Sequence, residues 1–309
     1  MGPSEGHAEA AGGDDYVGLD DGLVRYDRQL LADPEIQERL RRAGYVECGR
    51  VLDDGQLLAV RQVAFDFLDS LTEPWGEAFL TTGRISDPVL RAEATQRTAD
   101  LVLPALAPYF IPEVRLRGSA LQIKPPSHSS ELNSHQDSSL VDERRWLGVY
   151  AWIALDDTGV HNGGLHVLPG SHRFGNLQRT LNIPWQLARF GEIMAELSVP
   201  LAVPAGSLVL FDAATVHSSP PNHSEEIRLA VNSFASHRDA HLMHYFRDET
   251  TTDGTVEAYE IDDNFFFEAD IMARPSPPSR FLGEWMQHRI DWSPEEFEAL
   301  AHQAMDESR

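Results

Sequence analysis

Apolar residues recur at helical spacing through the first third of the chain and give way to short β-rich runs through the middle. Leu57, Leu58, Val60, Val63, Ala64 and Phe67 fall three and four apart, which predicts a helix over 54–71. Asp33-Pro34 supplies an N-cap and a first-turn proline for a helix over 34–43 that Gly44 closes. A third helix is predicted over 88–105. Residues 72–86 hold Pro, Gly and Trp75 without any period and are expected to form a loop near an active-site mouth.

From about Arg117 the period changes. Strands are predicted over 116–123, stopped by Pro125-Pro126; over 146–155, a continuous apolar run; and over 165–168, after the turn Asn162-Gly163-Gly164. Further strands follow over 199–203, 207–211, 215–217 and 227–235, with one helical candidate, 185–196, among them. Closely spaced strands without crossover helices predict an antiparallel barrel or jelly roll, not a βαβ sheet. After Ser236 the chain reads as irregular, then as two helices over 279–288 and 293–305. Ser293, Pro294 and Glu296 form a capping box at the start of the second. Residues 1–15 lack anything to bury and read as a disordered leader. With no repeat or linker to divide the rest, 16–309 is expected to be one mainly β domain with flanking N- and C-terminal helices.

Charge and cysteine content narrow the class. A net charge of −24 argues against a duplex-binding face or a polybasic membrane anchor, so neither nucleic acid nor membrane is expected as a partner. A monomer or homodimer acting on a small-molecule substrate is the expectation. Cys48 is the only cysteine, which rules out an intrachain disulfide. No signal-peptide pattern opens the chain and no apolar run reaches the roughly 18 residues of a membrane span, so a cytoplasmic location is expected. Lys124 is the only lysine against 24 arginines, a bias of GC-rich coding DNA.

Candidate chemistry rests on histidine and carboxylate spacing. The chain holds four His-x-acid triplets, beginning at His7, His135, His223 and His237, and with 13 His and 49 acidic residues about two arise by chance. Context separates them. In extended backbone residues i and i+2 point to one side, so His135 and Asp137 can approach one metal. They lie between the strand carrying Gln122 and Lys124 and the apolar run from Trp146. By contrast, His7 is in the leader, His223 follows Pro220-Pro221-Asn222 in a turn, and no comparable later histidine follows His237. His217 ends the run from Gly206 and precedes Ser-Ser-Pro-Pro, which presents its imidazole at an opening; a hydrogen-bonded structural histidine is the alternative. Arg228 interrupts an apolar strand. Facing inward it needs a carboxylate, because an unpaired buried charge is costly; facing outward it would pair with Glu225 or Glu226. Two imidazoles and a carboxylate can hold one face of Fe(II) and leave three positions for a co-substrate and O2. A dicarboxylate co-substrate would give Arg228 its bidentate partner.

These residues sit within a wider pattern. His135-Gln-Asp137, Trp152-Ile-Ala-Leu155, Asn162-Gly-Gly-Leu165, Leu168-Pro-Gly-Ser-His172, Gly206-Ser-Leu-Val-Leu-Phe211, His217 and Arg228 together resemble the phytanoyl-CoA dioxygenase family. Gly44-Tyr45-Val46 and Leu121-Gln-Ile-Lys-Pro-Pro126 extend the likeness to about 44–236. The resemblance implies a double-stranded β-helix of cupin-like jelly-roll type, non-haem Fe(II), and 2-oxoglutarate and O2 as co-substrates. It assigns His135, Asp137 and His217 to the metal as the catalytic centre, and Arg228 to the distal carboxylate of 2-oxoglutarate. Gln122 and Lys124 share a strand face and are candidate cofactor contacts, with a surface lysine as the alternative for Lys124. Asn162 and Ser219 are further pocket candidates, and Trp152 is expected to pack in the barrel. Related halogenases replace the ligand carboxylate with a small residue; Asp137 is present here, which disfavours halogenation.

The resemblance implies hydroxylation or another C–H oxidation of a small molecule, with a natural-product intermediate preferred. A CoA-linked substrate would need a basic patch, for which Arg115 with Arg117 or Arg144 with Arg145 are the candidates. Two other classes stay open: a metal-dependent jelly-roll isomerase or cyclase, and a non-catalytic ligand-binding jelly roll.

Overall fold

The structure, a computed structural model, describes residues 24–309 apart from 73, 74, 176, 177, 252 and 288, and without the side chains of 267 and 268. The leader expected over 1–15, and the triplet at His7 within it, lie outside the described residues.

Three helices and the strands between them come first: α1 (Pro34–Ala43), β1 (Tyr45–Arg50), α2 (Asp54–Ser70), β2 (Leu80–Thr81) and α3 (Pro88–Leu106). Each helix is capped by the aspartate that precedes it: Asp33 accepts from Glu35 N, Asp53 from Gln56 N, and Asp87 from Val89 N and Leu90 N. The barrel strands follow as β3 (Val114–Lys124), β4 (Leu132–His135), β5 (Gly148–Ala154) and β6 (His166–Val167). Helix α4 (Gly191–Leu197) precedes β7 (Val199–Pro200), β8 (Ser207–Asp212), β9 (His217–Ser219) and β10 (Arg228–His237). Two antiparallel sheets result, of order β1-β8-β5-β10-β3-β2 and β4-β9-β6-β7, and they face each other as a jelly roll.

Side-chain alternation explains how one sheet serves two purposes. Val149, Ala151 and Ile153 of β5, Leu208 and Leu210 of β8, and Leu229 and Val231 of β10 face outward into a core shared with α1, α2 and α3. Their neighbours Tyr150, Trp152, Val209, Phe211 and Ala230 face inward toward the smaller sheet. Strands buried on both faces read as continuous apolar runs, as 146–155 does.

The C-terminal third departs from expectation. The stretch read as irregular contains β11 (Leu242–Phe246), β12 (Thr255–Ile261) and the short α5 (Phe265–Glu268), and the helix expected over 279–288 is a strand, β13 (Arg280–Met286). These strands form a separate antiparallel sheet, β11-β12-β13. As its edge, β13 leaves Phe281, Leu282 and Met286 exposed, which removes the inside-outside alternation that marks a strand. The last helix, α6 (Pro294–Glu307), has the capping box expected of Ser293 and Glu296 and packs Phe297 against Phe174 and Phe190.

Candidate active site

β4 and β9 pair antiparallel with His135 opposite His217, so two residues distant in sequence meet at one end of the small sheet. Asp137 lies just past the end of β4 and completes the group: the ligand atoms of His135, Asp137 and His217 all lie within 4.8 Å of one another. Both Nε2 atoms stand 3.8 Å from an Asp137 carboxylate oxygen. His135 Nδ1 lies 2.8 Å from Asn133 O, and His217 Nδ1 lies 3.0 Å from Thr215 O. A carbonyl can only accept, so each Nδ1 carries the proton and each Nε2 lone pair points at the carboxylate side. Burial, then the neighbouring His217, hold the His135 imidazole neutral by moving its pKa down to about 4.

Neighbouring segments hold this group in place. Arg179 donates from Nε to Asp137 O at 2.8 Å and grips Glu143 with Nη1 and Nη2 at 2.8 Å each. Gln136 donates to Ala214 O at 2.7 Å and accepts from Trp185 Nε1 at 3.0 Å, which ties the His-x-Asp turn to the loop before His217. Arg179 and Glu143 lie in stretches with no period and no motif, and Trp185 only opens the helical candidate 185–196, so sequence reading missed their part in the site.

Arg228 opens β10 facing inward, 2 % exposed. Its Nη2 donates to Gly163 O at 2.9 Å and to Ser219 Oγ at 3.0 Å, while Nε and Nη1 are buried without a hydrogen-bond partner. No carboxylate among the described residues meets it, and burial moves its pKa down to about 10. The outward alternative with Glu225 or Glu226 is thereby excluded. Gly163, at φ 70°, allows this cradle: a Cβ there would stand 2.5 Å from Lys124 Cδ and from Pro220 O.

The remaining candidates divide. Gln122 lies on the wall of the cavity and accepts from Trp152 Nε1 at 2.9 Å. Lys124 is fully buried, not at the surface: its Nζ donates to Ser219 O at 2.8 Å and Pro220 O at 2.6 Å. Burial, then the charge of Arg228, push its ammonium down to about 7. Ser219 also donates to Gly163 O at 2.6 Å, and Trp152 both packs in the barrel and faces the cavity. Asn162 instead holds its own loop, through Gly159 N and Asp157 O. Of the other described triplets, His237 stacks on Trp146 and His223 lies against His128, away from the group.

A cavity of about 1460 Å³ opens over these residues. Asp137 Oδ2 is buried without a partner, as are two nitrogens of Arg228. One end of the site thus lacks a cation and the other an anion, and the donor set fits a first-row divalent metal.

Comparison with known proteins places the chain in a family. The family model for phytanoyl-CoA dioxygenase (PhyH) matches residues 40–230, and the chain belongs to that family. Mouse phytanoyl-CoA dioxygenase domain-containing protein 1 is 34% identical over 117 residues, 35% of this chain and 40% of the mouse protein. A probable alpha-ketoglutarate-dependent hypophosphite dioxygenase of Stutzerimonas stutzeri is 27% identical over 165 residues, 48% of this chain and 55% of that one. The chain thus spans about two fifths to just over half of the length of these relatives. Among solved structures, the non-heme alpha ketoglutarate dependent carbocyclase SnoK from nogalamycin biosynthesis aligns with a TM-score of 0.49 and 25% identity, over 68% of this chain and 86% of its own.

Proposed function

We propose that the protein is a non-haem Fe(II)- and 2-oxoglutarate-dependent dioxygenase that oxidises a C–H bond of a small molecule, a natural-product intermediate, in the reducing cytoplasm. The observation that carries this reading is the pairing of a buried carboxylate oxygen without a hydrogen bond, Asp137 Oδ2, with a buried guanidinium that has no counter-ion among the described residues and two nitrogens without a partner, Arg228, on one cavity. His135, Asp137 and His217 would hold the iron, and Arg228 with Ser219 would hold the distal carboxylate of 2-oxoglutarate. When bound, the iron and its co-substrate activate O2, so that 2-oxoglutarate, O2 and the substrate C–H yield succinate, CO2 and an alcohol.

The chain's own residues supply position and protection. The neutral imidazole of His135 offers its lone pair without losing a proton first. The two carbonyls fix each ring, and Arg179 fixes the backbone of Asp137. Lys124 contributes through the Ser219 and Pro220 carbonyls it anchors, and Gln122 faces the co-substrate from β3 with its oxygen held by Trp152. Tyr150, Phe211 and Trp152 exclude water from the inner wall.

The test is succinate formation from 2-oxoglutarate under air with added Fe(II), in the native protein and in His217→Ala. The expected result is turnover in the first and none in the second, with both folded by circular dichroism. A jelly-roll isomerase or a ligand-binding protein would form no succinate, and retained turnover in His217→Ala would refute the ligand assignment.

A further inference from the structure

The cavity extends well past the residues assigned to iron and co-substrate, and most of its cations have acidic partners. Five arginines line it among the described residues: Arg84, Arg115, Arg117, Arg179 and Arg228. Arg179 is matched by Glu143, and Arg115 and Arg117 share Asp263 at 3.3 and 2.7 Å. Arg228 is reserved for the co-substrate. Neither basic pair considered for a CoA-linked substrate is therefore free as a pair: Asp263 is shared by Arg115 and Arg117 and leaves them one net positive charge, and Arg144 is paired with Asp142 and lies over Trp285.

Arg84 is the exception. It makes no hydrogen bond or ion pair with any described residue, although it lies on the cavity wall. Its segment follows β2, where Thr81 pairs with Gln122. Among the described acids of the wall, Asp137 is committed to the metal and Asp263 to two arginines. Glu131 is exposed and acts toward Lys124.

The shape of the cavity adds a second constraint. At Gly118, φ 56°, a bulge in β3 shifts the register against β10 between Asn232 and Phe234. Side-chain parity switches there, so Arg115 and Arg117 join Ala120 and Gln122 on the cavity wall while Val114 packs against the outer core. The inner wall thus runs along β3 for roughly 15 Å between Gln122 and Arg117, at about 3.3 Å per residue. Phe79, Tyr150, Trp152, Trp185, Phe211 and Phe234 line it. Its volume, about 1460 Å³, exceeds the roughly 300–1,000 Å³ usual for a drug-sized ligand.

We propose that the substrate is an elongated, ring-bearing or otherwise apolar molecule with a single anionic group, and that Arg84 holds that anion at the cavity mouth. The proposal rests on the functional reading above. A thioester with several phosphates finds only Arg84 and the one net positive charge of the group Arg115, Arg117 and Asp263 here, on a chain of net charge −24, and is not accommodated.

The experiment uses two fluorescent probes with the same rings: 8-anilinonaphthalene-1-sulfonate, which carries one negative charge, and N-phenyl-1-naphthylamine, which carries none. Each is titrated under argon into protein loaded with Fe(II) and 2-oxoglutarate. The sulfonate is expected to bind about tenfold more tightly than its neutral analogue, to lose that advantage in Arg84→Ala, and to keep most of it in Arg84→Lys. Ala92→Trp, which narrows the cavity from an exposed position on α3, is expected to weaken both probes. Coenzyme A at equal concentration is expected to leave the sulfonate in place. Equal affinity for the two probes, an unchanged preference in Arg84→Ala, no effect of Ala92→Trp, or displacement by coenzyme A would each overturn the proposal. Affinity for 2-oxoglutarate, read from the absorption change on adding it to the Fe(II) protein, is expected to be the same in Arg84→Ala. A parallel loss there would reassign Arg84 to the co-substrate and overturn the substrate role. Absence of that absorption change in the native protein would instead overturn the dioxygenase reading itself.

Discussion

The outer and inner faces of the six-stranded sheet are made by the same strands, one residue apart, yet they follow opposite rules. Outward, Leu121, Val149, Ile153, Leu210 and Val231 are fully buried, apolar, and covered by α2 and α3. Inward, the same strands carry Gln122, Tyr150, Trp152, Asn232 and Arg228, with a hydrogen-bonded pair, an open cavity and a guanidinium that lacks its counter-ion. Stability is concentrated on one side and binding on the other. A rigid outer face lets the inner face hold a buried charge that would destabilise a less well-packed sheet.

Substitutions on the two faces should therefore separate cleanly. Leu210→Ala removes a fully buried outer side chain and is expected to cost about 2–5 kcal/mol in urea unfolding, with iron and 2-oxoglutarate affinities unchanged. A comparable loss of affinity would show that the faces are coupled. Arg228→Ala should do the reverse. Affinity for 2-oxoglutarate falls by about two orders of magnitude, the scale of a lost charge-assisted pair near 2–3 kcal/mol. Stability without co-substrate stays level or rises, because the variant no longer buries an unmatched charge. Marked destabilisation of that form by Arg228→Ala would contradict the division.

A pH titration turns to buried histidines outside the cavity, with His135 of the inner site, also held down to about 4, contributing over the same range. His172, beside the buried Asp212 and Arg25, and His244, on β11, are each held down to about pH 4, chiefly by burial. Their ordinary value is about 6.5, so the unfolded chain takes up these protons first. Their contribution is fully present above about pH 6.5 and is lost as pH falls toward 4. Urea midpoints measured across that range should decline steadily, and a flat profile would contradict the assignment.

Sequence made the outer face legible because both of its signals are local. An aspartate cap with a first-turn proline located α1, helical periodicity located α2, α3 was placed to within a residue or so, and apolar runs located β3, β5, β8 and β10. Family motifs brought His135, Asp137, His217 and Arg228 into view, and the structure brings the first three together at the mouth of the same cavity that Arg228 lines. The clasp from Arg179 to Glu143 and Asp137 was not legible, since it joins segments 36 and 42 residues apart that have no period of their own. Nor was the switch of parity at Gly118, which depends on register against β10 and brings Arg115 and Arg117 to the cavity wall. The third sheet escaped for a related reason. In β13 Phe281, Leu282 and Met286 are exposed, and the edge of a small sheet places little demand on pattern.

The most direct measurement is an anaerobic calorimetric titration of the metal-free protein, first with Fe(II) and then with 2-oxoglutarate. One Fe(II) per chain is expected, followed by one 2-oxoglutarate whose binding needs both the metal and Arg228, so that His217→Ala loses both events and Arg228→Ala only the second. Tight binding of 2-oxoglutarate to the metal-free protein, or to Arg228→Ala as to the native chain, would contradict the claim that the triad and the guanidinium form one composite site.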